Sequence, residues 1–477
     1  MKTPERSFHP ISTRESKTSK TGPWRSEGPQ QVDRGFCGRK NMKRLSCAMG
    51  LVWLLVVALC GTSHAVSVTL VRGSSALSSV PALGEKPIVL AFGEDRVLIH
   101  DSRLPVKGKL LDTRDIPLTE LFLVRDHRAL SQIAGYDTLY RHGAFRLAVV
   151  KRPEELGGLK SVRLWPVRRS MVVTRKAGGV KGEPDPKVNA LISKLNRSRY
   201  GEYMAMLARD LETRYSCANE VLTARDKISR EFKALGLRTN ASMSFPNDCE
   251  GGCEEWKGFN VIGRKVGKVR PEEFYLVGAH YDSANGEGGA CNTAPGACDN
   301  ASGVAAVLEL ARVFRTVDTE ASIVFVAFGG EEIDLLGSRK YVQELIDAGE
   351  DADLKAFVVL DMISFYKADA TRGIIIEGSR GITRQARALD RLVGYVRTYT
   401  DLDVEHTVKY SGSDHEPFLD EEMAGGLLIQ MDCDAADYEP LHSARDTLGH
   451  QDLPFAIEVT KVAAALLAEA GIMDATP

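Results

Sequence analysis

The sequence has no excess of charge of either sign. Its 477 residues contain 62 Lys and Arg and 64 Asp and Glu, which gives a formal net charge of −2. Proteins that bind nucleic acid or an anionic membrane surface usually carry an excess of Lys and Arg. The charge balance therefore predicts no nucleic-acid partner, and other partners must be inferred from individual sites.

The apolar run near the N-terminus, Ala48–Cys60, is too short to cross a membrane, since a transmembrane helix needs roughly 20 residues. It follows Met42-Lys43-Arg44 and precedes Ser63-His64-Ala65, an order typical of a signal peptide. We therefore interpret residues 42–65 as a signal peptide that is cleaved after Ala65. This interpretation predicts a secreted or periplasmic protein without a stable membrane anchor.

Residues 1–41 have little apolar content and are basic, with nine Lys and Arg against four Asp and Glu. Such a composition does not bury enough apolar surface to fold. We therefore predict that this stretch is a disordered extension, and we interpret Met42 as the start of translation.

Cysteine is scarce, at nine residues. Removal of residues 1–65 leaves Cys217, Cys249, Cys253, Cys291, Cys298 and Cys433. An even number in an exported protein predicts disulfides. The close pairs Cys249/Cys253 and Cys291/Cys298 lie in Gly-rich loops that can bend enough to close, although connectivity does not follow from sequence alone. Neither pair has the two-residue spacing and the matching second pair of a cysteine zinc site.

The periodicity of apolar residues divides the rest of the chain in two. Residues 66–185 contain short β-like runs broken by Gly, Pro and Asp, and end in a polar linker from about Lys176 to Lys187. We predict a small β-rich accessory domain or propeptide there. In residues 186–477 short apolar runs alternate with helical segments, which predicts a mixed, mostly parallel doubly wound sheet with helices on both faces.

Candidate ligands follow the predicted strands of this α/β domain, where such sheets bind ligands. His280 directly follows the run Phe274–Ala279, and Asp282 two residues later can fix the tautomer of an imidazole ligand. Asp299 precedes a predicted helix, where the alternatives are an ordinary helix cap and a carboxylate that bridges two metals.

Glu331 and Glu332 follow the next predicted strand, after Gly329-Gly330. Adjacent carboxylates repel one another, and a nearby dication offsets that repulsion. Asp361 and His442 lie beyond two further strands. Five nitrogen and oxygen ligands at successive strand ends therefore indicate a metal site.

Together these positions resemble the zinc aminopeptidases of the M28 family over about residues 190–472. The resemblance extends to the flanking segments Thr213-Arg214-Tyr215-Ser216, Ser413-Asp414-His415 and His442-Ser443-x-x-Asp446-Thr447. Where the family usually has Gly after the paired acids this sequence has Asp334, and we expect the turn to survive because Asp tolerates left-handed backbone.

The resemblance implies a role for each position. Asp299 would bridge two zinc ions, with His280 and Asp361 completing the shell of one ion and Glu332 and His442 that of the other. Glu331 would be the general base, and Asp282 would orient His280. It further implies three residues near the substrate: Tyr438, Asp414 and His415.

The resemblance therefore implies hydrolysis of N-terminal residues from peptides with a free N-terminus, with two zinc ions per chain. Two alternatives remain open at this point. A glutaminyl-cyclase-like acyltransferase on the same fold would favour a single zinc ion. A non-catalytic binding ectodomain is expected to have lost ligands or the base, and all six positions are present here.

Overall fold

The computed structural model of the protein describes residues 65–72, 87–101, 108–126, 136–143, 145–153, 162–169, 171–176, 181–245, 258–286, 292–368, 371–410, 412–433 and 437–473. They all belong to one compact unit, Thr62–Pro477. The predicted basic extension, and the signal peptide up to His64, lie outside the described residues.

The described strands, in chain order, are β1 Ala65–Arg72, β2 Ile88–Phe92, β3 Asp95–Asp101, β4 Lys109–Pro117, β5 Leu121–Asp126, β6 Tyr136–His142, β7 Phe145–Val150, β8 Val162–Pro166, β9 Met171–Lys176, β10 Arg238–Phe245, β11 Gly258–Lys265, β12 Arg270–His280, β13 Ala321–Phe328, β14 Leu354–Asp361, β15 Gly373–Gly378, β16 Asp403–Thr407 and β17 Gly425–Gln430.

The described α-helices are α1 Pro186–Ile192, α2 Arg197–Ala208, α3 Glu220–Ala234, α4 Ser302–Phe314, α5 Leu336–Ala348, α6 Thr383–Tyr399, α7 His415–Asp420 and α8 Leu453–Ala468.

The centre of the fold is a run of parallel strands in the order β13-β12-β14-β17. Every residue of β13 and β17 is buried, because helices cover both faces of the sheet and such strands need apolar side chains on both sides. Residues of α2, α3, α4, α6 and α8 pack on one face, and those of α5 and α7 on the other. The prediction of a mostly parallel sheet with helices on both faces is confirmed.

The strands β1–β9, here named the N-terminal β unit, form two sheets around their own apolar core. The smaller sheet has the order β6-β7-β5-β8. The other sheet continues into the central one, because β9 pairs in parallel with β2 and antiparallel with β16. The prediction of a small β-rich unit before the α/β domain is therefore confirmed, although we did not predict that the two share a sheet.

Two helices, α1 and α2, precede the strands of the α/β domain, because the Asn196 side chain accepts from the Arg199 amide and caps a new helix start. A Cys291/Cys298 disulfide is excluded because Cys298 is a buried thiol that donates to Gln430 Oε1 over 3.3 Å. The loop that carries Cys249 and Cys253 lies outside the described residues.

None of the helices in the described ranges has the length and apolar content needed to span a membrane.

Candidate metal centre

The parallel register brings three strand ends to one edge of the sheet. His280 is the last residue of β12 and pairs with Phe328, the last residue of β13. Asp361 ends β14, the other neighbour of β12. Glu331 and Glu332 follow β13 by three and four residues, so one row of strand ends carries an imidazole and three carboxylates.

Five side chains converge at this edge in two groups that share Asp299. In the first group His280 Nε2 lies 3.2 Å from Asp299 Oδ1 and 3.3 Å from Asp361 Oδ1. In the second, His442 Nε2 lies 2.9 Å from Asp299 Oδ2 and 3.2 Å from Glu332 Oε2. The two oxygens of one carboxylate thus face two different histidines. We name these five residues the metal centre.

The spacing of these atoms suits zinc. Zinc binds nitrogen and carboxylate oxygen at about 2.0–2.2 Å, so tetrahedral ligand atoms lie about 3.3–3.5 Å apart. Three of the four separations between ligand atoms are 3.2–3.3 Å and the fourth is 2.9 Å. Imidazole and carboxylate are also the ligand types that zinc accepts. The residues present therefore fit zinc.

The backbone amide of Asp299 fixes this residue in place, and its side chain does not cap the helix. Its amide and that of Cys298 donate to the two carboxylate oxygens of Asp446, over 3.0 and 2.8 Å. The neighbouring Asn300 does the capping, since its Oδ1 accepts from the amide of Gly303. The side chain of Asp299 is thereby left for the two histidines.

Asp282 supports both acids of the pair. Its Oδ1 accepts from the Glu331 amide and its Oδ2 from the Glu332 amide, each over 3.2 Å. Ser216 donates its hydroxyl to Oδ2 over 2.6 Å. His280 Nδ1 lies 3.6 Å from Asp282 Oδ1, so the carboxylate also faces the imidazole that it was expected to orient.

The turn after the paired acids survives the replacement of glycine. Asp334 has φ of +88° and the next residue, Leu335, has φ of +60°. Both angles lie in the left-handed region, which Asp adopts more readily than most residues. The expectation for Asp334 is confirmed, and α5 begins directly after this turn.

Residues 260–467 match the profile of Peptidase family M28. Aminopeptidase YwaD of Bacillus subtilis (strain 168) is 32% identical over 199 residues, which are 40% of this chain and 40% of that protein. A probable zinc metalloprotease of Pyrenophora teres f. teres (strain 0-1) is 31% identical over 201 residues, 39% of this chain and 43% of that protein. The aligned region therefore spans less than half the length of these two relatives.

The solved structure of the Legionella pneumophila LapA aminopeptidase is similar with a TM-score of 0.51, covering 74% of this chain and 99% of that chain at 16% identity. At this identity the similarity shows a shared fold. Residues 260–467, which match this family profile, are named the M28 domain from here on. All five residues of the metal centre, and Glu331, lie within these limits.

Burial and like charge control ionisation in the M28 domain. The pKa of Glu331 is raised well above its usual value by burial and by Glu332 and Asp361, against the opposing effect of His280. The pKa of His280 is also raised, because the attraction of Glu331 and Asp361 outweighs the burial that opposes its charge. His442 is shifted the same way, since Glu332 and Asp299 outweigh its burial.

The three residues expected near the substrate are fully buried in the M28 domain, so their side chains are shielded from a substrate. The Tyr438 hydroxyl donates to Asp446 Oδ1 over 2.6 Å, which supports the carboxylate that holds Asp299. Asp414 lies behind the metal centre, where burial raises its pKa to about 7. His415 Nε2 lies 3.3 Å from Glu377 Oε2.

Arg214 holds the backbone beside two of the candidate ligands in place, a role that the sequence pattern did not show. It is fully buried, and its guanidinium donates to the carbonyls of Tyr281 and Gly296 over 2.7 and 2.9 Å and also to that of Pro295. These carbonyls flank His280 and Asp299 along the chain. The motif that contains Arg214 was visible in the sequence, but its partners lie about 70–80 residues away.

We predict that Asp282→Asn weakens both zinc retention and turnover, because an amide cannot accept at both of its terminal atoms. Loss of such a support to metal ligands typically lowers affinity or activity about 10–100-fold. Zinc release to a chelator and kcat/KM on a peptide substrate measure the effect. Asp334→Asn is the matched control, since Asn also tolerates the left-handed turn; equal behaviour of the two variants would contradict this role of Asp282.

Proposed function

We propose that the M28 domain is a two-zinc aminopeptidase that hydrolyses N-terminal residues from peptides. The observation that carries the proposal is the division of the Asp299 carboxylate, whose Oδ1 faces His280 and whose Oδ2 faces His442. A bridging carboxylate between two ligand groups supports two metal ions close together. The family and the names of the relatives support zinc and peptidase chemistry.

Each side chain has a task in this proposal. His280 and Asp361 would hold one zinc ion, Glu332 and His442 the other, and Asp299 both. When bound, the two ions would polarise the scissile carbonyl and acidify the attacking water. Asp282 fixes the backbone of the acid pair through its contacts with two amides.

Glu331 is the proposed general base. Its carboxylate oxygen lies within one cluster with His280 and Asp361, less than 4.8 Å from their ligand atoms. In the metal-free protein its pKa is raised by burial and neighbouring acids, and bound zinc ions would oppose this shift and favour the carboxylate form that a base needs. It would accept a proton from the attacking water and deliver it to the leaving amine nitrogen.

The excess of acids around the site suits a substrate with a free α-ammonium group. The metal-binding carboxylates are joined by Asp282, which is fully buried. Such a concentration of acidic side chains attracts a cation, as a free α-ammonium group is. This supports exopeptidase action and predicts no cleavage of N-acetylated peptides.

Glu331→Gln is expected to lower kcat by about 10²–10⁴-fold, the usual contribution of a general base, while both zinc ions stay bound. The adjacent Glu332→Gln is the matched variant, and we expect it to lose zinc because its carboxylate is a ligand. Turnover of free and N-acetylated aminoacyl amides, with zinc analysis of each protein, gives the measurement. Full activity of Glu331→Gln, or cleavage of acetylated substrates, would contradict the proposal.

We also propose that the enzyme is exported after removal of residues 42–65, with disulfides among its remaining cysteines. The support is the order of basic, apolar and small residues before Val66. Expression of the full chain in a secreting host, followed by N-terminal sequencing, should give Val66 in the medium or periplasm. A cell-associated protein that retains the apolar run would refute it.

A further inference from the structure

We propose that Arg125 of the N-terminal β unit is a positioning residue for the metal centre, acting through Glu377 and His415 on the segment that holds Asp361. The N-terminal β unit is then a permanent part of the working enzyme rather than a propeptide that is discarded. The inference rests on the proposed two-zinc function and concerns how that site is held in shape.

The first link is a buried ion pair between the N-terminal β unit and the M28 domain. Arg125 lies on β5 and Glu377 on β15, and their side chains are 0% and 2% exposed. Nη2 of Arg125 pairs with Oε1 of Glu377, and the guanidinium lies 5.3 Å from the centre of the Phe145 ring. Removal of one partner would leave the other charge buried without compensation, which is far costlier than loss of a surface pair.

The second link leads from Glu377 to α7. The other oxygen of the carboxylate, Oε2, lies 3.3 Å from Nε2 of His415, the first residue of that helix, whose side chain is 0% exposed. Glu377 thus contacts Arg125 of the N-terminal β unit and His415 at the start of α7.

The third link reaches the metal centre. Ser413, two residues before His415, donates its hydroxyl to Oδ2 of Asp361 over 2.8 Å. The opposite oxygen, Oδ1, faces His280. A displacement of the start of α7 would therefore move the donor that orients a metal-binding carboxylate, and such supports normally affect metal affinity.

Aromatic packing also holds α7 in place, so the folding of this helix does not depend on the ion pair alone. Phe418 of α7 stacks on Phe357 with ring centres 4.7 Å apart, and its ring centre lies 6.1 Å from that of Phe328. This apolar packing does not involve Arg125. Loss of the ion pair should therefore change the orientation of the helix start while α7 stays folded.

A second polar contact between the same two parts of the chain provides a matched control. His142 of β6 lies 2.6 Å from Glu405 of β16, and the pair is partly exposed, at 23% and 9%. Among the contacts described for these two residues, none reaches α7 or the metal centre. Loosening this pair tests the docking of the N-terminal β unit without touching the route to Asp361.

The experiment compares full-length Arg125→Met, Ser413→Ala, their combination, and His142→Gln with the unmodified protein. The readouts are the rate of zinc release to a chelator, kcat, KM and thermal midpoint. We expect Arg125→Met to speed zinc release and lower kcat about 10-fold, with KM little changed. The combination should be no worse than the more severe single variant, because both act on Asp361 by one route. His142→Gln should release zinc at the unmodified rate.

Arg125→Met/Glu377→Gln keeps the test valid if the single variant folds poorly. It removes both buried charges, so the thermal midpoint should recover, while zinc release stays fast because the contact with His415 is still altered. Recovery of zinc retention together with stability would show a merely structural role and overturn the inference. Normal zinc release and kcat in Arg125→Met would also overturn it. An unmodified chain that binds no zinc would instead refute the proposed function on which it depends.

Discussion

The arrangement of the site depends on one carboxylate, Asp299, whose two oxygens each face a different imidazole. Burial opposes its charge, but the pull of His280 and His442 dominates and lowers its pKa. Further acids lie around it. Burial and repulsion from neighbouring acids raise the pKa of Glu331 and Glu332. A cluster with this much negative charge is costly to bury alone, and divalent cations between the acids would remove that cost.

The surrounding structure serves to hold this carboxylate and its partners. Asp446 accepts the amides of Cys298 and Asp299, and Tyr438 and Gln451 donate in turn to Asp446. Burial raises the pKa of Asp446 to about 6, against the opposing effect of the Cys298 and Asp299 amides and the Tyr438 hydroxyl. Arg214 fixes the carbonyls on either side of the loop between the first two ligands. Rigid supports of this kind keep ligand atoms near the geometry that a metal requires.

Much of the fold and of the ligand set could be predicted from sequence because both follow from local pattern. Fully apolar runs of strand length mark buried strands, and His280 and Asp361 stand directly at the ends of two of them. What was missed depends on long-range contacts: the sheet shared through β9 and the carbonyl partners of Arg214. Such contacts join segments far apart in the chain, which periodicity does not encode.

The shared sheet and the Arg125–Glu377 pair give the N-terminal β unit a direct physical connection to the M28 domain. Removal of the N-terminal β unit would leave the edge of β16 without its partner strand.

The most direct test of the account is a calorimetric titration of the metal-free protein with zinc in buffers of different ionisation enthalpy. We expect two zinc ions per chain and release of protons on binding, because the pKa of His280 and His442 is raised in the metal-free protein and a metal binds only the neutral imidazole. Binding of one zinc ion or none would contradict the claim that Asp299 joins two metal sites.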